Sequence, residues 1–84
     1  MDVFVYIIKS MKFDKFYIGQ TDNVESRLIV HNGPRAKWTK RYQPWKLVNT
    51  EKYSSRSEAM KREKYLKSLK NIGRCLEDVK AGKI

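Results

Sequence analysis

Three runs of apolar and aromatic residues have the length of β-strands. The first run, residues 3–8, is β-branched or aromatic at every position, which is typical of a central strand covered on both faces. The second run, residues 15–20, follows after a short polar stretch. The third run covers residues 44–50 and starts with Pro44, a position at which a strand tolerates proline. The pattern therefore predicts three strands.

The first two runs predict a β-hairpin whose loop is formed by residues 11–14. In that register Tyr6 lies opposite Gly19, and Tyr6 and Tyr17 become diagonal neighbours on one face of the sheet. A slip of one residue would separate the two tyrosines. The register therefore decides whether both side chains can belong to one site.

Helical signals follow the hairpin and the third strand. Residues 24–32 form the first predicted helix, with a start signal at residues 21–23, a capping box from Asp22 to Glu25 and a Gly-Pro stop at its end. The second helix, residues 57–70, follows a capping box that begins at Ser55. Residues 71–84 predict a short terminal helix and, from about residue 80, a frayed basic tail.

The length and the cysteine content limit the classes of protein that fit. Eighty-four residues allow one small domain, so residues 1–84 are predicted to form a single α+β core. No apolar run approaches the ~20 residues of a transmembrane helix, and the N-terminus lacks the signals of a secretory peptide. The expected location is therefore cytoplasmic, without a membrane partner. A single cysteine, Cys75, and a single histidine exclude an internal disulfide and a closed structural zinc site.

Positive charge is concentrated in one half of the chain. The sequence has 19 basic and 9 acidic side chains, which give a net charge of +10. Residues 1–30 are balanced, whereas residues 31–70 carry twelve basic side chains against three acidic ones. This uneven distribution favours a polyanionic partner, most simply nucleic acid. The alternative is a solvated surface that keeps a small protein soluble.

The loop of residues 35–43 interleaves cations with aromatic side chains. Such a loop can hold phosphates and stack on exposed bases. Alternatively, Trp38 and Tyr42 anchor the loop to the core while its cations are solvated. The candidate nucleic-acid-binding residues are side chains of this loop and one lysine of the second helix: Arg35, Lys37, Trp38, Lys40, Arg41 and Lys67.

Three ionisable side chains fall beside or within apolar stripes of the predicted helices. Arg27 and His31 are spaced as (i, i+4) neighbours at the edge of the buried face of the first helix. A snorkelling arginine and a structural histidine are the alternatives to a functional pair. Glu63 falls inside the apolar stripe of the second helix, where a carboxylate needs a cation, a metal or several donors. A structural ion pair with Arg27 or a lysine, and a metal-binding or catalytic role, both remain open.

Taken in order, these residues resemble the GIY-YIG endonuclease superfamily. Tyr17-Ile18-Gly19 is the YIG tripeptide, and Phe4-Val5-Tyr6 stands at strand distance before it. The resemblance is closest to small stand-alone members related to the N-terminal nuclease domain (URI domain) of the bacterial excision-repair protein UvrC. It covers roughly residues 3–69 and implies a three-stranded antiparallel sheet flanked by α-helices.

The resemblance also implies five catalytic residues and one divalent ion, Mg²⁺ or Mn²⁺. By position, Tyr17 corresponds to the YIG tyrosine, which accepts a proton, while Tyr6 and His31 position water or phosphate. Arg27 corresponds to the arginine that stabilises charge on phosphate oxygens. Glu63 corresponds to the carboxylate that binds the metal.

Two positions depart from the family pattern. Phe4-Val5 replace Gly-Ile in the first tripeptide. These positions fill space in the strand, so the replacement has little effect on the chemistry. Gln20 stands where some relatives have lysine, so a contact to phosphate from this position would lack the positive charge of lysine.

The function that the resemblance implies is a metal-dependent endonuclease, which hydrolyses phosphodiester bonds in DNA during repair or recombination. The small size suggests weak or structure-dependent activity, because no separate DNA-reading domain is present. One alternative is a basic nucleic-acid-binding domain that keeps the nuclease fold without catalysis. A second alternative is a module that binds a partner in a repair or recombination complex.

Overall fold

The sheet places the first apolar run at its centre. In the computed structural model, which describes residues 2–84, β1 (Val3–Ser10) lies between β2 (Phe16–Thr21) and β3 (Trp45–Tyr53). Both strand pairings are antiparallel. The predicted three-stranded antiparallel sheet, with its first strand in the middle, is therefore confirmed.

The hairpin between β1 and β2 has the register that the sequence predicts. Tyr6 pairs with Gly19, and the backbone N–H of Ser10 donates to the carbonyl oxygen of Lys15 at 2.9 Å, which closes the loop. This register places Tyr6 and Tyr17 on the same face of the sheet.

The third strand is longer than the sequence predicts. It continues beyond residue 50 because Glu51 pairs with Val5 and Tyr53 pairs with Val3. The prediction ended early because residues 51 and 52 are charged, yet charged side chains are common on an edge strand, where they oppose association with other strands. A bulge at Val48 also interrupts the regular pairing with β1.

Within residues 2–84, four helical segments cover the sheet: α1 (Val24–His31), a 3-10 helix (Trp38–Tyr42), α2 (Arg56–Ser68) and α3 (Ile72–Lys80). The 3-10 helix lies in the loop for which the sequence predicts no regular structure, because a single short turn provides too little periodicity to detect. None of the helices in the described part of the chain combines the length and the apolar character needed to cross a membrane.

The two faces of the sheet are covered by different helices. Ile7 on β1 packs with Leu66 of α2 on one face, and α3 adds to this layer. The next positions along the strand point the other way, so Tyr6 packs with Trp45 and Tyr17 on the face covered by α1 and the 3-10 helix. The motif tyrosines therefore face α1, with α2 behind the sheet.

The helix starts are determined by side-chain caps. The side chain of Asn23 accepts the N–H of Ser26 at 3.0 Å, so α1 is capped by the last residue of the predicted start signal, whereas the predicted capping box begins one residue earlier, at Asp22. The side chain of Ser55 accepts the N–H of Glu58 at 3.2 Å and caps α2, as the sequence predicts.

Arg62 ties the end of the chain to the sheet. Its guanidinium donates to the two carboxylate oxygens of Glu51 at 2.8 and 3.0 Å and to the carbonyl oxygen of Ile84 at 2.7 Å. The Ile84 side chain packs against the core beneath α2 and α3. Ile84 makes these contacts within the segment for which the sequence predicts a frayed tail.

Candidate functional site

Two tyrosines from neighbouring strands lie side by side on the α1 face of the sheet. The ring centroids of Tyr6 and Tyr17 are 6.3 Å apart, which follows from their diagonal positions in the hairpin. A Cβ atom at position 19 would lie 2.6 Å from the Tyr6 hydroxyl oxygen. Gly19, the glycine of the YIG tripeptide, therefore makes room for the first tyrosine.

His31, the last residue of α1, contacts both tyrosines. Its Nε2 lies 2.8 Å from the Tyr6 hydroxyl and its Nδ1 lies 3.0 Å from the Thr39 hydroxyl. Its ring centroid is 4.7 Å from that of Tyr17. Because a neutral imidazole has one donor and one acceptor nitrogen, this buried histidine can join the two hydroxyls in one hydrogen-bonded chain.

Three further side chains hold the loop against His31. The indole N–H of Trp45 donates to the carbonyl oxygen of Thr39 at 2.7 Å. Asn32 makes two hydrogen bonds to the backbone of Trp45, at 2.6 and 3.0 Å. The Gln43 side-chain amide donates to the carbonyl oxygen of His31 at 2.8 Å. No sequence motif identifies these supporting residues, because their contacts depend on the conformation of a loop without periodicity.

Burial controls the protonation of the Tyr6–His31 pair. Burial raises the pKa of Tyr6 well above that of a free tyrosine; Tyr17 adds to the increase, Arg27 opposes it, and Glu63 adds to it. Burial also lowers the pKa of His31, and the Arg27 guanidinium lowers it further. Both groups are therefore uncharged at neutral pH. A tyrosine that keeps its proton is suited to positioning a ligand and unsuited to acting as the base.

A cleft beside this cluster is rich in positive charge. This cationic cleft has a volume of about 330 Å³. Its lining includes Tyr17, Arg27, His31, Arg35, Lys37 and Trp38. Arg27 comes from α1, whereas the other two cations come from the loop that precedes the 3-10 helix. Three cations around a concave surface attract phosphate oxygens.

Trp38 lines both the cationic cleft and a second cleft. Its ring is 50% exposed, yet its centroid lies 4.9 Å from that of Tyr42 and 6.1 Å from that of Trp45. The ring therefore anchors the loop, as one of the two sequence interpretations has it, and also leaves an accessible surface. The second, apolar cleft lies along the edge strand β2. Its lining includes Phe16, Tyr17, Trp38, Leu66, Lys67 and Leu69.

Glu63 approaches the site from α2, the helix on the opposite face of the sheet from the tyrosines. Its side chain is only 18% exposed, and its carboxylate lies 2.7 Å from the ammonium group of Lys67. The sequence leaves Arg27 or a lysine open as the ionic partner of Glu63. In the structure the partner is Lys67 and not Arg27. The carboxylate is close enough to Tyr6 to contribute to the raised pKa of that residue.

The available ligands fit a divalent ion that shares its coordination with a substrate. Across residues 2–84 there is no group of three or more His, Cys, Asp and Glu side chains that could hold a metal. Mg²⁺ commonly binds one or two carboxylates and completes its shell with water and substrate phosphate. The half-buried Glu63 supplies one such carboxylate, and its pairing with Lys67 shows that a cation is stabilised there.

Gln20, which replaces the lysine of some relatives, has a cation beside it. The guanidinium of Arg56 donates to the side-chain oxygen of Gln20 at 3.3 Å. Arg56, the first residue of α2, therefore supplies positive charge near position 20, where glutamine replaces the lysine of some relatives.

The predicted catalytic residues are brought together to different degrees. The structure brings three of them into contact: Tyr6, Tyr17 and His31. Arg27 lines the same cleft as Tyr17 and His31. Glu63 reaches the group electrostatically and from a different layer of the fold.

The predicted nucleic-acid-binding residues also divide into groups. Arg35 and Lys37 line the cationic cleft with Trp38, whereas Lys67 lines the apolar cleft. Lys40 and Arg41 are exposed on the 3-10 helix, outside the lining of either cleft.

The fold and this cluster define a class of protein. An antiparallel hairpin that carries two adjacent tyrosines, followed by a helix with arginine and histidine, matches the family described as the GIY-YIG catalytic domain over residues 2–74. The chain belongs to this family and has its nuclease-like fold.

The relatives narrow the assignment to the UPF0213 group. A UPF0213 protein of Staphylococcus haemolyticus is 48% identical over 66 residues, which cover 77% of this chain and 79% of the relative. A UPF0213 protein of Natronomonas pharaonis is 44% identical over 69 residues, covering 81% and 80% of the two chains. The solution NMR structure of a UPF0213 protein from Bacillus halodurans is similar with a TM-score of 0.56 and 34% identity, covering 94% of this chain and 82% of that one.

Proposed function

We propose that this protein is a metal-dependent endonuclease that hydrolyses phosphodiester bonds in DNA, in repair or recombination. One observation carries the proposal: the hydrogen-bonded Tyr6–His31 pair, Tyr17 and a cleft containing Arg27 lie together in a GIY-YIG catalytic domain. The site combines groups that can bind a phosphate, position it and take up a proton.

Each side chain has a role that its surroundings support. Arg27 in the cationic cleft binds non-bridging phosphate oxygens and stabilises the charge that develops on them. Tyr17 is partly exposed and lines both clefts, so it is placed to accept the proton of an attacking water. Tyr6 and His31 remain neutral and orient the phosphate or the water through hydrogen bonds.

Glu63 would hold the divalent ion, Mg²⁺ or Mn²⁺. When bound, such an ion polarises the phosphate and lowers the pKa of a coordinated water. Because Glu63 is the one carboxylate assigned to the ion, substrate phosphate must complete the site. We therefore expect weak metal binding by the free protein and tighter binding in the presence of DNA, since the two ligands are thermodynamically linked.

The ion pair between Glu63 and Lys67 favours a second function, nucleic-acid binding without catalysis. The lysine neutralises the carboxylate at 2.7 Å. If the lysine holds this place against a divalent ion, the fold still presents Arg35, Lys37 and Trp38 to a polyanion. The domain would then bind DNA but leave it intact.

Cleavage of labelled DNA distinguishes the two functions. Wild-type protein and variants are incubated with single-stranded, nicked and branched DNA in Mg²⁺, in Mn²⁺ and in chelator. We expect metal-dependent cleavage by the wild type, none by Glu63→Gln, and a reduction of roughly 10²–10³ for Arg27→Ala, as for the loss of one transition-state donor. Glu77→Gln removes an exposed carboxylate from α3 and should leave cleavage unchanged. Binding by the wild type without cleavage of any substrate would select the second function.

A further inference from the structure

The two clefts share a wall. Tyr17 and Trp38 line both of them, so the cationic cleft and the apolar cleft meet at these two side chains. The apolar cleft has a volume of about 380 Å³. Its lining is mostly apolar, with one cation, Lys67. A phosphate attracted to the cationic side would thus lie next to a space that attracts an apolar, planar group.

Trp38 is rigidly supported although half of it is exposed. The ring packs against Tyr42, and the 3-10 helix that carries it is fixed by the hydrogen bond from the Trp45 indole to the Thr39 carbonyl oxygen at 2.7 Å. Trp45 itself is 3% exposed, as an aromatic side chain that only anchors a loop should be, whereas Trp38 is 50% exposed. A fixed, accessible aromatic ring is a platform on which a base can stack without a large loss of conformational entropy.

We propose that the apolar cleft binds one unpaired nucleobase of the strand whose phosphate occupies the cationic cleft. The proposal rests on the proposed function for the presence of a nucleic acid and adds the form in which that nucleic acid is bound. Charge complementarity supports this occupant: a nucleotide joins an anionic phosphate to an apolar aromatic base, and the two clefts present cations and apolar surface side by side. Lys67, whose side chain is 53% exposed at the apolar cleft, is available to a neighbouring phosphate.

A base must leave the duplex to enter this cleft. Stacking on an aromatic side chain needs an open face of the base, and in a continuous duplex both faces are covered by neighbouring base pairs. The cleft therefore predicts a preference for single-stranded or unpaired segments over intact duplex. Aromatic stacking changes affinity by roughly 5- to 150-fold per base.

The test compares strands that differ only in their bases. Wild-type protein without divalent ions is titrated with a single-stranded DNA, with an abasic strand of the same length and charge, and with a duplex. Fluorescence anisotropy of the DNA gives affinity, and quenching of the exposed Trp38 reports stacking. We expect the base-containing strand to bind roughly 5- to 150-fold tighter than the abasic strand and to quench the fluorescence.

Variants locate the effect in the cleft. Trp38→Leu should bind the two strands equally, and Trp38→Phe should restore part of the difference. Leu69→Glu places a charge in the cleft and should also remove the difference, whereas Leu47→Glu, at an exposed position on β3, should keep it. Melting temperatures verify that each variant is folded.

Three results would overturn the nucleobase site. Equal affinity of the wild type for the base-containing and abasic strands would overturn it while leaving the proposed nuclease function standing. An unchanged preference for bases in both Trp38→Leu and Leu69→Glu would place the base elsewhere. Failure to bind any strand would overturn both the nucleobase site and the proposed function.

Discussion

At position 19 the absence of a side chain determines where Tyr6 can lie. A Cβ atom there would be 2.6 Å from the Tyr6 hydroxyl oxygen and 2.8 Å from the adjacent ring carbon. Neither distance is tolerable, so Gly19→Ala must displace the ring and break its hydrogen bond to His31. We expect a loss of roughly 1–3 kcal/mol in the free energy of unfolding, typical of an overpacked core, together with loss of cleavage.

Thermal melts of Gly19→Ala and Gly73→Ala measure this effect against a control. A Cβ at Gly73, on an exposed position of α3, would meet the Phe16 ring at 3.1 Å, a contact that a small side-chain movement relieves. The helix also favours alanine over glycine. Equal melting temperatures for Gly19→Ala and the wild type would contradict the tight packing of Tyr6.

His31, the only histidine in the chain, makes stability depend on pH. Burial holds the pKa of His31 in the folded protein below its ordinary value of 6.5. The unfolded chain therefore binds more protons below about pH 6.5, and the free energy of unfolding decreases as the pH falls from that value toward the folded pKa. The melting temperature of the wild type should fall as the pH is lowered from 7.5 to 6.5 and 5.5, and that of His31→Gln should fall less. Parallel curves for the two proteins would contradict a buried, neutral histidine.

At the scale of elements, Arg62 connects α2, β3 and the last residue. Its ion pair with Glu51 is only 19–20% exposed on each side chain. Burial raises the pKa of Glu51, but hydrogen bonds from Arg62 and Tyr53 outweigh this effect and hold it below the ordinary value. Arg62→Met should lower the free energy of unfolding by about 2–3 kcal/mol, somewhat less than the loss of one partner of a fully buried pair. Lys61→Met, on an exposed position of the same helix, should change stability little in the same urea titration.

Within α2, Lys67 and a divalent ion would compete for Glu63. The pair is an (i, i+4) contact with a half-exposed lysine, so its contribution to stability is modest. Lys67→Met should therefore leave the melting temperature nearly unchanged while raising the affinity for Mn²⁺ up to roughly fivefold, measured by calorimetry in the presence of uncleavable DNA.

Lys64→Met provides the matched control for this competition, because Lys64 lies on the same helix and, among residues 2–84, pairs with no carboxylate. Equal Mn²⁺ affinities for the two variants would show that Lys67 does not compete with the ion. A large drop in melting temperature for Glu63→Gln would instead favour a purely structural carboxylate.

The sequence predicts the elements with strong periodicity and misses those that depend on distant contacts. The alternation in β1 and the short polar loop after it set the hairpin register, and with it the meeting of Tyr6 and Tyr17. The 3-10 helix and its Thr39 contact to His31 are not predictable, because a single turn stabilised by hydrogen bonds across the loop has no pattern of its own. The spacing also places Glu63 in an apolar stripe without showing that Lys67 is its partner.

At the scale of the whole molecule, the sheet separates two groups of candidate site residues. The tyrosines, His31 and the cationic loop lie on the α1 face, while Glu63 and Lys67 belong to the helix behind it. The edge strand β2 is where these layers meet, since Tyr17 and Lys67 line the same cleft along it. A site divided between two layers depends on the packing of the whole domain, which explains why no single motif contains all of its residues.

The net charge of +10 leads to a prediction about the whole domain. If about five phosphates are neutralised, the logarithm of the affinity for duplex DNA should fall with the logarithm of salt concentration with a slope of about −4 to −5. Replacing two cations of the cationic cleft, Arg35→Gln with Lys37→Gln, should reduce the magnitude of the slope by about 2, because each lost contact releases one counterion fewer. Lys80→Gln with Lys83→Gln removes the same charge at the end of the chain, outside the lining of both clefts, and should leave the slope nearly unchanged. Equal slopes for the two double variants would show that phosphate binding depends on the overall charge of the protein and not on the cationic cleft. A wild-type slope near zero would show that the positive charge keeps the protein soluble and does not bind phosphate.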